Sequence, residues 1–215
     1  KAKIIRLEAS LALDQTHDLR IVQELADQAF ILDPANERQA RLRALIARQQ
    51  GRVDEAIQYL TTVKDVDSRN LLAACYLEIG NKIKCYEVLS GIKPDEATPE
   101  THRLLAIWYL FNKNTRQARQ SIERAEKLAP KWYLVQFTRI MIDYFSAVSP
   151  AVLPDGPILW PDPITPDMIK RDVESGLYLE NALNLLGNLS QNENATIDVE
   201  IIQNWHLAVK LVYAE

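Results

Sequence analysis

The sequence predicts an all-α protein built from repeated helical hairpins, and three observations carry that expectation. Apolar residues recur at three- and four-residue spacing almost without a break from 2 to 148, and no strand-like alternation interrupts them. Only 6 of the 215 residues are glycine, well below the roughly 7% of average proteins, which argues against many-stranded β folds and Gly-rich phosphate loops. Finally, the chain repeats itself in columns of similar residues spaced 34, 29 and 33 positions apart.

Each element follows from its periodicity and its stop signal. Ile4, Ile5, Leu7 and Leu11 mark a helix over 2–13, and Val22, Ala26 and Ala29 mark the next over 17–32, which stops at Asp33-Pro34. Gly51 divides the helices 36–49 and 52–64, and Gly80 divides 67–79 from 82–91. After the break from Gly91 to Pro94, a helix over 99–111 begins at Thr98-Pro99. A helix over 115–128 ends at Ala129-Pro130. Helices of this length joined by short loops pack as antiparallel neighbours. The segment 131–148 is apolar on nearly every side, through Trp132, Phe137, Ile140, Met141, Tyr144 and Phe145, so it must be covered all round.

The rest of the chain differs in character. Six of the ten prolines fall within 149–166, which excludes a helix there. The same stretch holds Leu153, Leu159 and Trp160, too apolar for a free linker. It reads either as an ordered belt across the helices or as a proline-rich ligand for another domain. Residues 167–189 and 196–214 form a helical hairpin that caps or packs on the repeats. The expected organisation is therefore helical repeats over 1–148, a Pro-rich connector over 149–166 and a C-terminal hairpin over 167–215.

The repeat columns are specific. Ser10, Ala44, Ala73 and Ala106 share a small position. Seven residues on, His17, Gly51, Gly80 and Lys113 share a loop position. Val22, Ala56, Cys85 and Ala118 share a position in the second helix, and Pro34, Ser68, Ala97 and Pro130 close the unit. This pattern, strongest in Gly51-Arg52-Val53-Asp54-Glu55-Ala56 and in Ala106, Tyr109, Ala118, Ala125 and Pro130, resembles the tetratricopeptide repeat over about residues 3–132. The resemblance implies a right-handed α–α superhelix. It also implies a non-catalytic interaction module whose concave groove, lined by the first helix of each unit, takes a peptide or helix of a partner. The family's early Trp is absent. The Lys and Asn pair of its chaperone-binding members is replaced by Leu7 with Leu11 and by Arg41 with Leu45, so a chaperone-tail clamp is not expected.

Placing the family's groove positions on this sequence selects Arg38, Arg41, Leu45 and Arg48 in the second unit, Asn70 in the third, and Arg103, Ile107 and Leu110 in the fourth. Arginine suits bidentate recognition of carboxylates, so the expected partner is a protein or peptide with acidic and apolar residues. The competing reading is a solvated Arg-rich helix, or arginines that pair with the acidic tail.

Charge and motifs limit the other possibilities. The net charge is −4, and the basic footprint of a nucleic-acid binder is absent. Residues 1–150 carry a net +3 and 151–215 a net −7. No membrane span, cofactor motif, metal cluster or catalytic constellation is visible, so an enzyme is not expected. His17, His102 and His206 are isolated, and Cys75 and Cys85 read as buried free thiols of a cytoplasmic protein. Asn188-Leu189-Ser190 and Asn194-Ala195-Thr196 read as chance sequons. The absence of an initiator Met reads as a portion of a longer protein. The alternative function is a ligand- or peptide-sensing region of a signalling or transcription protein. It would show an enclosed pocket lined by Phe137, Met141, Tyr144 and Trp160.

Overall fold

The computed structural model describes residues 1–15, 19–33, 36–147 and 173–190. Among them there are ten α-helices and no strand. They are α1 (Ala2–Gln15), α2 (Leu19–Leu32), α3 (Glu37–Gln49), α4 (Val53–Leu60), α5 (Val66–Glu78), α6 (Lys82–Ser90), α7 (Pro99–Phe111), α8 (Thr115–Leu128), α9 (Tyr133–Ala147) and α10 (Val173–Ser190). Consecutive helices pack as pairs, from α1 with α2 through α9 with α10. The chain divides into two compact units, Lys1–Glu96 and Ala97–Glu215. The division falls in the irregular stretch after α6, where the third repeat is short. The Pro-rich segment 149–166, the tail segment 196–214 and His17 lie outside the described residues.

Local chemistry starts and stops these helices. The side chains of Asn36, Asp65, Asn81, Thr98 and Asn114 each accept a hydrogen bond from a backbone N–H in the first turn that follows. At α7 the bond is reciprocal, between Thr98 and Thr101, and Pro99 occupies the first helical position. One boundary differs from expectation, because α4 ends at Leu60 and not near residue 64. The Thr61 hydroxyl bonds the carbonyls of Ile57 and Gln58 at 3.0 and 2.9 Å, and two β-branched residues follow it. Both features disfavour continuation of the helix.

The loop column is one backbone conformation repeated three times. Gly51, Gly80 and Lys113 have φ of 75°, 73° and 59°. Their N–H groups donate to Arg48, Leu77 and Leu110 at 2.9, 3.0 and 2.9 Å, and the next residues donate to Ala47, Tyr76 and Tyr109 at 2.8, 2.8 and 2.9 Å. This is the left-handed stop of a helix. A Cβ at Gly51 or Gly80 would meet nothing within 4 Å, so glycine is needed for its dihedral freedom and not for space. Lys113 adopts the same conformation with a side chain. Lys113→Gly is therefore expected to raise stability by about 0.5–1 kcal/mol, and Gly51→Ala to lower it by about 1 kcal/mol. Urea titration of each variant measures both shifts.

The interior follows the columns with one exception. Ala44, Ala73 and Ala106 are fully buried, as are Val22, Ala56, Cys85 and Ala118 one helix later. In the first hairpin, however, Ala9 is the buried small residue and Ser10 is exposed. The register of α1 thus lies one residue from the expected one. In the first unit Ala9, Val22 and Ala26 form a core cluster with Leu42 and Ile46 of α3. In the second unit Leu110, Ile122, Ile140, Ile142 and Tyr144 lie at the centre of another core. The all-round apolar character of α9 is met by burial of every residue from Ile140 to Ala147. Among the described residues its cover is α7, α8 and α10, the last through Ala182 and Leu186.

Candidate functional site

In the first unit, Arg38, Arg41, Leu45 and Arg48 follow one another at three- and four-residue steps and so share a face of α3. Arg41 donates from Nη1 to Asp67 Oδ2 at 2.7 Å and lies 3.5 Å from Asp65 Oδ1. Arg48 donates from Nε to Glu78 Oε2 at 2.8 Å. All three acids lie on or beside α5, so these two arginines tie the first helix of one hairpin to the first helix of the next. Leu45 between them is half-buried, and Asn70 on α5 is buried. Arg38 is exposed and has no ion-pair partner among the described residues.

Asp65 serves both as the cap of α5 and as an acceptor near Arg41. Partial burial pushes its carboxyl up, but hydrogen bonding from Ser68 and the charge of Arg41 outweigh that and hold it below the ordinary carboxylate value. A lowered folded-state pKa gives stability that is present above the unfolded carboxyl's pKa, near 3.9, and is lost as pH falls through the folded value. Asp65→Ala is expected to cost about 1–2 kcal/mol at neutral pH through loss of the cap. The difference between variant and parent should shrink in acid, as read from urea midpoints at neutral pH and at pH about 3.

In the second unit, Arg103 grips Glu100 with two bonds, Nε to Oε2 at 2.6 Å and Nη2 to Oε1 at 2.8 Å. Its Nη1 lies 3.4 Å from Thr138 Oγ1 on α9. Ile107 is half-buried and Leu110 is fully buried. Two residues of the expected binding face are buried: Leu110, which belongs to the core of the second unit, and Asn70. Arg41, Arg48 and Arg103 remain near the surface, but each already has a carboxylate within its own unit. Among the described residues these carboxylates belong to the repeats and not to the acidic tail expected as their partner.

Two further arginine sites went unseen in the sequence. The Arg43 guanidinium lies between the rings of Phe30 and Tyr59, 4.4 and 4.7 Å from their centroids, with Asp27 at 3.6 Å. In the second unit, Asp143 of α9 is fully buried. It accepts from Arg119 Nη1 at 2.6 Å, from Arg139 Nε at 2.9 Å and from Asn181 Nδ2 of α10. Arg139 also donates to Glu126 at 3.1 Å. The Arg119 guanidinium lies over the Tyr178 ring, 3.4 Å from its centroid. Burial pushes the Arg119 pKa down against the pull of Asp143, and burial pushes the Glu126 carboxyl up against the pull of Arg139. The signal for this network was a lone aspartate inside the apolar run Ile140-Met141-Ile142-Asp143-Tyr144-Phe145 with an arginine four residues before it.

The remaining chemistry-bearing side chains are quiet. Cys75 and Cys85 are free and buried, and burial pushes their thiols up to about 11 and about 12, so neither is a thiolate nucleophile near neutral pH. His102 is half-buried, and burial together with Arg124 lowers its pKa. Among the described residues no group of three His, Cys, Asp or Glu could hold a metal ion, and no helix is long and apolar enough to cross a membrane. Phe137, Met141 and Tyr144 belong to the core of the second unit, and Trp160 lies outside the described residues. No protein-family model matches the chain, and no curated protein sequence matches it.

Proposed function

We propose that the chain is a non-catalytic, cytoplasmic interaction module of the tetratricopeptide kind. It is a right-handed α–α superhelix that docks a peptide or helix of a partner protein on the first helices of its repeats. The observation that carries this reading is the loop conformation that recurs at Gly51, Gly80 and Lys113 with the same hydrogen bonds. Within Lys1–Glu96 the same stop follows α3 and α5, and the Arg41 and Arg48 ion pairs tie these two first helices together, which supports a shared docking face. On the first unit that surface is Arg38, the Arg41 and Arg48 ion pairs, and the half-buried Leu45 between them. Arg103 and Ile107 occupy the equivalent face of α7.

The ion pairs decide how this is tested. Reversing Arg41 or Arg48 would set like charges against Asp67 or Glu78 and disturb the packing of α3 on α5. Arg38 has no such role. Affinity capture from the native source, followed by titration of the captured partner against the parent and Arg38→Glu, is the discriminating measurement. The expected result is a loss of affinity of about tenfold with an unchanged melting curve, the size of one charge-assisted contact. A partner bound equally well by Arg38→Glu and by Leu45→Lys overturns the assignment of this face.

A further inference from the structure

Arg41 has a counterpart on the first helix that lacks its ionic partners. With the buried alanines Ala9, Ala44 and Ala73 aligned, Arg6 of α1 stands at the place of Arg41. The same alignment puts Asn36, the cap of α3, at the place of Asp65, the cap of α5, and it puts Arg38 at the place of Asp67. α1 packs on α3 as α3 packs on α5. Arg41 has Asp67 at 2.7 Å and Asp65 at 3.5 Å. The equivalent places offer Arg6 a neutral amide and a second guanidinium. The acid nearest to them in sequence, Asp33, is taken up by the Asn36 amide at 2.8 Å. Arg6 is only 8% exposed, yet neither its side chain nor that of Arg38 has a hydrogen bond or ion pair among the described residues. None of the Arg6 nitrogens is among the enclosed atoms that lack a partner, so its stem is covered while its charged head reaches water.

We propose that Arg6 and Arg38 bind two carboxylates of a partner segment that resembles Asp65-Val66-Asp67, two acids one residue apart. This rests on the reading of the first-helix face as a docking surface. Two like charges on neighbouring helices repel each other, and an anion between them removes the repulsion. Guanidinium groups are weakly hydrated and match carboxylates two bonds at a time. The chain carries its own example of the complement. At α5 the acids are built in and Arg41 is neutralised within the protein. At α3 they are replaced by Asn36 and Arg38, which leaves the place to acids from outside. Lys3 is exposed and stands in the same column as Arg38, so it adds a third positive charge. Glu8, two residues beyond Arg6, lies on the other side of α1 and does not offset them.

The probe is the blocked tetrapeptide Asp-Val-Asp-Ser, with Asn-Val-Asn-Ser as its neutral control, titrated into the full chain by NMR. Saturable shifts of the Arg6 and Arg38 side-chain Nε–H signals are expected with the acidic peptide alone. Arg6→Gln or Arg38→Gln should weaken its binding at least about tenfold. A second measurement needs no ligand. The carboxyl introduced by Arg38→Asp should titrate below the ordinary aspartate value, about 3.9, and return to it when Arg6→Gln is added. Three results overturn the proposal: no saturable binding by the full chain, equal binding of the control peptide, or a carboxyl in Arg38→Asp that does not respond to Arg6→Gln. Acids elsewhere in the chain that already filled the place would give the first of these. A captured partner indifferent to Arg38→Glu, with the tetrapeptide still bound, overturns the docking face alone. A partner weakened by Arg38→Glu but not by Arg6→Gln overturns the two-arginine site alone, so the two readings fail separately.

Discussion

Asp143→Ala is expected to destabilise the second unit by about 3–5 kcal/mol, the cost of removing one partner from a buried ion cluster. The carboxylate is fully buried and is the shared acceptor of Arg119, Arg139 and Asn181. Without it, two guanidinium groups whose side chains are only 15% and 16% exposed lose their common anion. Arg139 keeps Glu126, but among the described residues Arg119 keeps the face of Tyr178 and the weaker pull of Glu123. Arg119 is therefore the residue left with the least compensated charge, and it explains most of the expected loss. The same substitution removes the acceptor that holds Asn181, so the grip of α10 on α9 weakens first. Trp132 packs against this core, and its emission during urea unfolding reports the change. Replacing Asp143, Arg119 and Arg139 together by leucine should recover most of the stability, since apolar packing substitutes for a buried ion cluster at little net cost. A loss under about 1 kcal/mol in Asp143→Ala would mean that water reaches the guanidinium groups.

Leu110→Ala is expected to cost about 2–5 kcal/mol, as for a large aliphatic side chain cut back inside a core. Leu110 lies in the cluster that includes Ile122, Ile140 and Tyr144, so its removal leaves a void those residues fill only in part. Its neighbour on the expected binding face, Ile107, is half-buried, and Ile107→Ala should cost closer to about 1 kcal/mol. The pair separates anchor from core. If Leu110 were an anchor for a partner, its truncation would lower affinity with little effect on the unfolding midpoint. The structure requires the reverse, a large fall in the midpoint and no direct change in affinity for a partner that remains bound to folded protein.

Much of the fold was legible because helical repeats write the same local rules several times. Gly51 and Gly80 marked two loop stops, and the spacing alone placed Lys113 at a third, although nothing about a lysine suggests a positive φ. Where two small residues stand together the signal fails. Ala9 and Ser10 fit the small column equally well, and only the packing of Val22, Leu42 and Ile46 shows that Ala9 is the inner one. That single-residue difference turns Ile4, Leu7 and Leu11 into an exposed stripe. The site was legible only by half. The face of α3 could be read from the spacing of Arg38, Arg41, Leu45 and Arg48, but their ionic partners could not. Asp67 and Glu78 lie roughly one repeat away, and pairing with them depends on how closely α3 and α5 approach. Leu110 is an apolar residue at a groove position, and periodicity does not tell an exposed anchor from a core residue on a helix that is covered from several sides.

By itself the sequence determined what each residue's near neighbours can settle. Helix identity, helix ends and the small columns depend on dihedral preference, capping and three- or four-residue spacing, all of which act within about one turn. Only the tertiary structure decided which charges are already neutralised. It tied Arg41, Arg48 and Arg103 to carboxylates, left Arg38 unpaired among the described residues, and buried Asp143 beneath two guanidinium groups. The reason is that the energy of a charge depends on the distance to its partner and on the water excluded from both. Those quantities exist only once helices distant in sequence have been packed together.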